Sequence, residues 1–140
     1  MNPTAILWPV GALAILTFAV LLAVPYRRFR AAFARQVRAD DFLYGESANV
    51  PGEVRLPNRN YMNLLESPNL FYVACIVFYV TDLVDVQAVA MAWIYVALRI
   101  AHSMVHLTYN KVMHRMMAFA ASTTVLLAMW IHLLLALPAA

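Results

Sequence analysis

The sequence predicts an all-α integral membrane protein, a four-helix transmembrane bundle, from three observations. Hydrophobic residues make up 64% of the chain and its mean hydropathy is +0.72, well above the apolar share of a soluble fold. The charged residues, only 12% of the total, crowd into a few short stretches. Between them lie apolar runs close to the ~20 residues needed to cross a bilayer. At 140 residues the chain reads as one domain, residues 1–140. Its net charge of +3 is placed so that the basic excess marks sidedness, and no nucleic-acid partner is expected. The single cysteine, Cys75, excludes an intrachain disulfide or a cysteine metal cluster and is expected to be packing.

The first span is expected over residues 4–36. No charge occurs from Ala5 to Val24, and Arg27, Arg28, Arg30, Arg35 and Arg38 follow. A signal peptide carries its positive charges before the apolar run, so this segment is expected to stay as a helix. Arginine-rich ends face the cytoplasm, which puts Met1 on the opposite side. Between Ala39 and Pro57 the composition changes to both signs of charge, with two prolines and two of the three glycines, and residues 39–56 are expected to form a cytoplasmic loop. Pro57 suits the first turn of the second span, residues 57–81, where its missing N–H is not needed. Pro68 falls inside that span beside Glu66 and is expected to kink it. A short link carrying Asp82 and Asp85 leads to the third span, residues 86–110, and a basic turn leads to the fourth, residues 115–137. Short links make antiparallel neighbours. Every Lys and Arg except Arg99 then falls at one end and both aspartates of the short link at the other, which predicts both termini opposite the cytoplasm.

Function is expected where ionisable residues lie inside the spans. A charge in hydrocarbon is costly and survives only against protein, a water-filled cavity or a ligand. In the third span Arg99, His102, His106 and Asn110 recur at i, i+3, i+7 and i+11, one stripe of a helix. In the second, Arg59, Asn63 and Glu66 recur at i, i+4 and i+7. Helical rise puts Glu66 roughly 13 Å in from Pro57 and Arg99 roughly 15 Å in from Asn110. A Glu66–Arg99 pair is therefore expected in a polar cleft open to the cytoplasm, with Arg59, Asn63, His106, Lys111 and Arg115 shallower along it. Several donors beside one carboxylate suit a zwitterionic or anionic ligand, and the same pair also reads as a structural ion pair that sets helix registry. His132 reads as a hydrogen-bonded packing residue. His102 and His106 have the spacing of a metal pair, but HSMVH lacks the glutamate of a zincin helix and no metal is expected.

Four spans in 140 residues, with NLLESPNLF in the second and ALRIAHSMVHLTYN in the third, resemble the MAPEG family, membrane-associated proteins in eicosanoid and glutathione metabolism. The resemblance covers almost the whole chain, and Asn-x-x-Glu, matched by Asn63 and Glu66, is its most specific motif. It implies a homotrimer that binds glutathione as co-substrate between subunits near the cytoplasmic face. It also implies that Glu66 meets the peptide's amino end, that Asn63 and Arg59 hold its polar groups, and that Arg27 corresponds to a helix-one arginine contacting the tripeptide. Arg99 and His102 match the family's third-helix Arg and His, His106 falls where some members have a ligand-contacting tyrosine, and Arg115 matches the arginine implicated in stabilising the glutathione thiolate. Met62 and Met116 stand where the family's prostaglandin synthase has an arginine and a serine, which counts against that synthase's activity.

Two functions of different kinds follow. One is a glutathione-dependent membrane transferase or peroxidase, in which Arg115 and a helix N-terminus favour the thiolate that attacks a hydrophobic small-molecule substrate arriving through the membrane lipid. The alternative is a non-catalytic lipid- or small-anion-binding membrane protein of the same fold. A transporter is the weaker expectation, because no internal repeat supplies the machinery of alternating access.

Overall fold

The computed structural model describes residues 2–138, so Met1, whose side of the membrane the charge pattern predicts, lies outside the described residues. Within them the chain is helical, with four helices long and apolar enough to cross a membrane. The first, α1 (Leu7–Phe33), follows a 3-10 turn, Pro3–Ile6, in which the Asn2 side chain accepts from the Thr4 backbone N–H at 3.0 Å. Its Trp8, Ile15, Phe18 and Leu22 recur at helical spacing and are all exposed, as a lipid-facing surface requires, while Ile6, Leu13 and Val20 are buried. The helix ends three residues before the expected boundary, where Arg35 turns into the left-handed region with φ 55°.

The expected loop has more order than its composition suggests. Ala39–Phe42 forms a second 3-10 turn, in which the Asp41 carboxylate accepts from the Arg38 backbone N–H at 2.9 Å and from the Ser47 hydroxyl at 2.8 Å. These bonds, the first above all, hold the Asp41 carboxyl below its ordinary range. Arg28 anchors the segment to α1 through Glu46 at 3.0 Å and by lying 4.6 Å from the Phe42 ring centroid. Beneath it Ala31, Val37, Val50 and Val54 form a small apolar core.

That core explains why the second span starts early. Helix α2 (Gly52–Glu66) begins five residues before Pro57, which sits in the helix and forgoes one backbone donation. Burial of Val50 and Val54 fixes the start, and the Arg55 side chain donates to the carbonyls of Val50 at 2.7 Å and Ala48 at 2.6 Å. Helix α3 (Pro68–Val80) continues from α2 across Ser67, whose backbone keeps helical angles; where a kink is expected at Pro68 the helix is interrupted without ending the span. Helices α4 (Val86–Leu107) and α5 (Val112–Ala136) share the largest helix–helix contact. The main core joins all five helices, α2 through Leu64, with Phe71 stacked on Tyr95 at 4.6 Å and Cys75 fully buried beside them.

At the end of the bundle away from the arginines, Asp85 caps α4. Its Oδ1 accepts from the Ala88 backbone N–H at 2.7 Å, and its Oδ2 lies 2.9 Å from His132 Nε2 of α5. Burial pushes the Asp85 carboxyl up, but these donors outweigh it and hold the group below the usual carboxylate range. Asp85→Ala removes both bonds from a half-exposed cap and is expected to cost up to about 1 kcal/mol, read as a lower unfolding midpoint in detergent. A carboxyl with a depressed folded value stabilises fully above its unfolded value and loses that contribution as pH falls through the folded one. The difference between parent and variant should therefore shrink below about pH 4. A difference that stays constant there would detach the carboxylate charge from stability.

Candidate functional site

The α4 stripe faces inward. Arg99, His102, Ser103 and His106 are all buried, with Arg99 showing no exposed surface. Opposite them α2 buries Val54, Pro57, Asn60 and Leu64 and supplies polar rungs across the gap. The Ser103 hydroxyl donates to Asn60 Oδ1 at 3.3 Å, and Arg99 Nη2 donates to the Asn63 backbone carbonyl at 2.7 Å. On the third side, the Arg99 guanidinium carbon lies 5.6 Å from the ring centroid of Phe119 on α5.

Helix α5 enters the site through a tight junction. Asn110 holds φ 47°, a left-handed geometry that Asn tolerates better than most residues. Its Oδ1 accepts from Arg115 Nη1 at 2.7 Å. The Arg115 backbone carbonyl in turn lies 3.1 Å from His102 Nδ1. Lys111, at the N-cap of α5, makes no side-chain cap bond, so the first turn of the helix presents its backbone N–H groups and partial positive charge beside Arg115.

These three helices line an open cavity of about 530 Å³, in the range of small-molecule sites. Arg59 and Asn63 of α2, His102 and His106 of α4 and Arg115 of α5 line it, so five of the sequence-predicted residues come together. Met62, Met116 and Phe119 give it an apolar side. No carboxylate is among the lining residues; the walls offer guanidinium and amide donors to a negatively charged group. His106, edge-on to His102 with ring centroids 5.7 Å apart, has neither ring nitrogen bonded. Among the described residues no group of three potential metal ligands forms around this pair.

Lys111, expected along the cleft, is exposed and is not among its lining residues, and three further predicted residues lie elsewhere. Arg99 sits behind the cavity wall, touching Asn63 and Phe119, which both line it. The expected Glu66–Arg99 pair does not form: Glu66 is exposed and makes no ion pair among the described residues. The reason is rotational. Leu64 faces inward, and Glu66 lies two residues further on, about 200° around the helix at ~100° per residue. Arg27 lines a separate cavity of about 350 Å³ with Arg30, Gln36 and Glu53. Sequence reasoning missed Asn58, Val112 and Phe119 of the lining and the buried Asn60–Ser103 pair. Phe119 was discoverable as the i+4 neighbour of Arg115, and Asn60 as one of three asparagines within residues 58–63.

The arrangement defines a polytopic helical membrane protein with a mixed, predominantly apolar cleft at the arginine-rich end of its bundle. The chain belongs to the MAPEG family, whose model matches residues 6–135. That family is a four-helix membrane bundle and includes glutathione transferases and related membrane proteins. Comparison with curated proteins and with solved structures gives no significant match.

The junction at Asn110 yields a prediction. Asn110→Gly keeps the left-handed backbone and removes only the acceptor for Arg115, whereas Asn110→Ala loses both. The alanine variant should be less stable than the glycine variant by about 1 kcal/mol, measured as unfolding midpoints in detergent. Equal midpoints would show that the backbone angle carries no strain in the alanine variant.

Proposed function

We propose that this protein is a glutathione-dependent membrane transferase or peroxidase that activates the glutathione thiol as thiolate for attack on hydrophobic electrophiles. The observation that carries the reading is the convergence of Arg59, Asn63, His102, His106 and Arg115 on one cavity whose other side is Met62, Met116 and Phe119. Donors on one wall suit a tripeptide with two carboxylates. Apolar residues on the other suit a substrate that dissolves in lipid. Such a cleft brings together reactants that do not share a solvent, and its contribution is chiefly orientation and charge stabilisation.

Arg115 is the residue assigned to the sulfur. A free thiol has a pKa near 8.5, and a guanidinium with a helix N-terminus beside it raises the thiolate fraction at neutral pH. Glu66 and Arg27, absent from this cavity within one chain, complete the site if a second and third copy pack against the exposed side of α2, in a homotrimer. The cleft then opens to the cytoplasm, with both termini on the other side of the membrane. A second reading, a non-catalytic lipid- or small-anion-binding protein, is favoured by Met62 and Met116, which place thioethers where a hydrogen-bonding ligand contact is possible.

Titration of the detergent-solubilised protein with glutathione, followed by thiolate absorbance in the ultraviolet across pH, tests the proposal. A saturable thiolate signal near neutral pH is expected, and Arg115→Ala should abolish it while leaving the unfolding midpoint within about 1 kcal/mol of the parent, because Arg115 is only partly buried. Absence of the signal in the intact parent would favour the non-catalytic reading. An unchanged signal in the variant would remove Arg115 from the chemistry.

A further inference from the structure

We propose that the segment around the second 3-10 turn is a membrane-surface element: Leu43 and Tyr44 seat in the headgroup region of the leaflet at the arginine-rich end, and Arg30, Arg35 and Arg38 select anionic phospholipid there. Neither part rests on the glutathione reading above. The loop is tied to α1 at two points. Glu46 pairs with Arg28 at 3.0 Å, and the Phe42 ring centroid lies 4.6 Å from the same guanidinium. Both ends of the stretch 42–46 are thus fastened to one residue of α1. Arg27 is the first charged side chain of the sequence, so Arg28 marks the level at which α1 leaves hydrocarbon.

That tether fixes the level of the loop tip. Tyr44 is two residues from Phe42 and two from Glu46, so its backbone lies within ~7 Å of both. A cavity of about 410 Å³ between the turn and α1 is lined by Val24, Pro25, Arg28, Phe29, Ala39 and Phe42, so the turn stands against the last apolar residues of the span. At that level Leu43 is 67% and Tyr44 97% exposed, and Tyr26 and Phe29 of α1 are exposed as well. Large side chains with apolar bodies, two of them ending in a hydroxyl, suit the boundary between acyl chains and headgroups, where one end is apolar and the other wet.

The charges flanking this band are unanswered by protein. Arg30, Arg35 and Arg38 are exposed and make no ion pair among the described residues. The nearby acidic groups are engaged elsewhere: Glu46 with Arg28, and Asp41 with the Arg38 backbone N–H and the Ser47 hydroxyl. Residues 26–48 carry five arginines against Asp40, Asp41 and Glu46, an excess of two positive charges. Exposed guanidiniums next to the end of a span meet the phosphate and carboxylate groups of the leaflet, and an anionic headgroup offers them more negative charge than a zwitterionic one. An acidic soluble partner would have to reach the patch through the headgroups, because the tether holds Tyr44 at the boundary.

Depth and selectivity are tested separately. A nitroxide is attached to Tyr44→Cys in bilayers of phosphatidylcholine and phosphatidylserine; the one native cysteine, Cys75, is fully buried, and the unsubstituted chain treated in parallel measures any label it takes. Collisions with oxygen, which concentrates in lipid, should exceed collisions with a water-soluble nickel chelate. The opposite ratio, that of a nitroxide in water, overturns the proposal and leaves the patch to a soluble partner. Selectivity is read from spin-labelled phosphatidylserine and phosphatidylcholine held at the protein in proteoliposomes. The parent should hold phosphatidylserine at least about fivefold more strongly at low salt, the attraction that one arginine supplies at an anionic surface, and lose most of that preference in molar salt. Arg30→Gln, Arg35→Gln and Arg38→Gln together should bring the ratio close to one while keeping the unfolding midpoint, since all three side chains are exposed. A parent that holds both lipids equally, or a triple variant that keeps the parent's ratio, overturns the proposal. If the triple variant fails to fold, the depth of the label and the salt response of the parent decide the matter.

Discussion

A guanidinium with no exposed surface in a bundle whose outside is apolar sets the terms for the rest of the molecule. Arg99 cannot remain in hydrocarbon, so α4 must turn the stripe that carries it toward its neighbours. Those neighbours answer with groups that do not depend on charge: a backbone carbonyl from α2 at 2.7 Å and an aromatic face from α5. Once that stripe faces inward, His102, Ser103 and His106 follow it, since helical spacing places them on the same side. The polar interior of the site is in this sense a consequence of where one arginine has to go.

The short junction between α4 and α5 makes the interior useful. Asn110 reverses the chain in a left-handed conformation and receives Arg115, while the Arg115 carbonyl fixes the ring of His102. A few residues thus join helix geometry, the orientation of a cation and the orientation of an imidazole ring. The far end of the same two helices is tied by a different device, the Asp85 cap bonded to His132. Relative movement of α4 and α5 is restrained from both ends, so the cavity beside them is held by its frame.

Membership of the MAPEG family accounts for the four spans. The walls of the cavity are of two kinds: Met62, Met116 and Phe119 give polarisable apolar surface on the α2 and α5 sides, and Arg59, Asn63, Arg115 and the two histidines supply the polar groups. A ligand that spans both kinds of wall fits such a cavity better than one that is wholly polar or wholly apolar.

The sequence by itself determined the class of fold, the four spans to within a few residues apart from the early start at Gly52, and the stripe Arg99–His102–His106, because these depend on hydropathy and on a helical period that local spacing carries. The resemblance to the MAPEG family was also legible in the sequence, and the family model matches residues 6–135. Tertiary structure decided the rest. Glu66 shares a stripe with Arg59 and Asn63, yet the inward face of α2 is centred on Asn60 and Leu64, and that rotation leaves the carboxylate outside and Arg99 bound to a backbone carbonyl. Arg27 lies at the right level but opens into another cavity, and the loop from Ala39 onward is ordered by Asp41, Arg28 and a four-residue core that no periodicity announces. Spacing along a chain fixes which side chains share a face of their own helix. Which neighbour covers that face, and which nitrogen of a ring is left free, depends on groups distant in sequence that meet only when the helices pack.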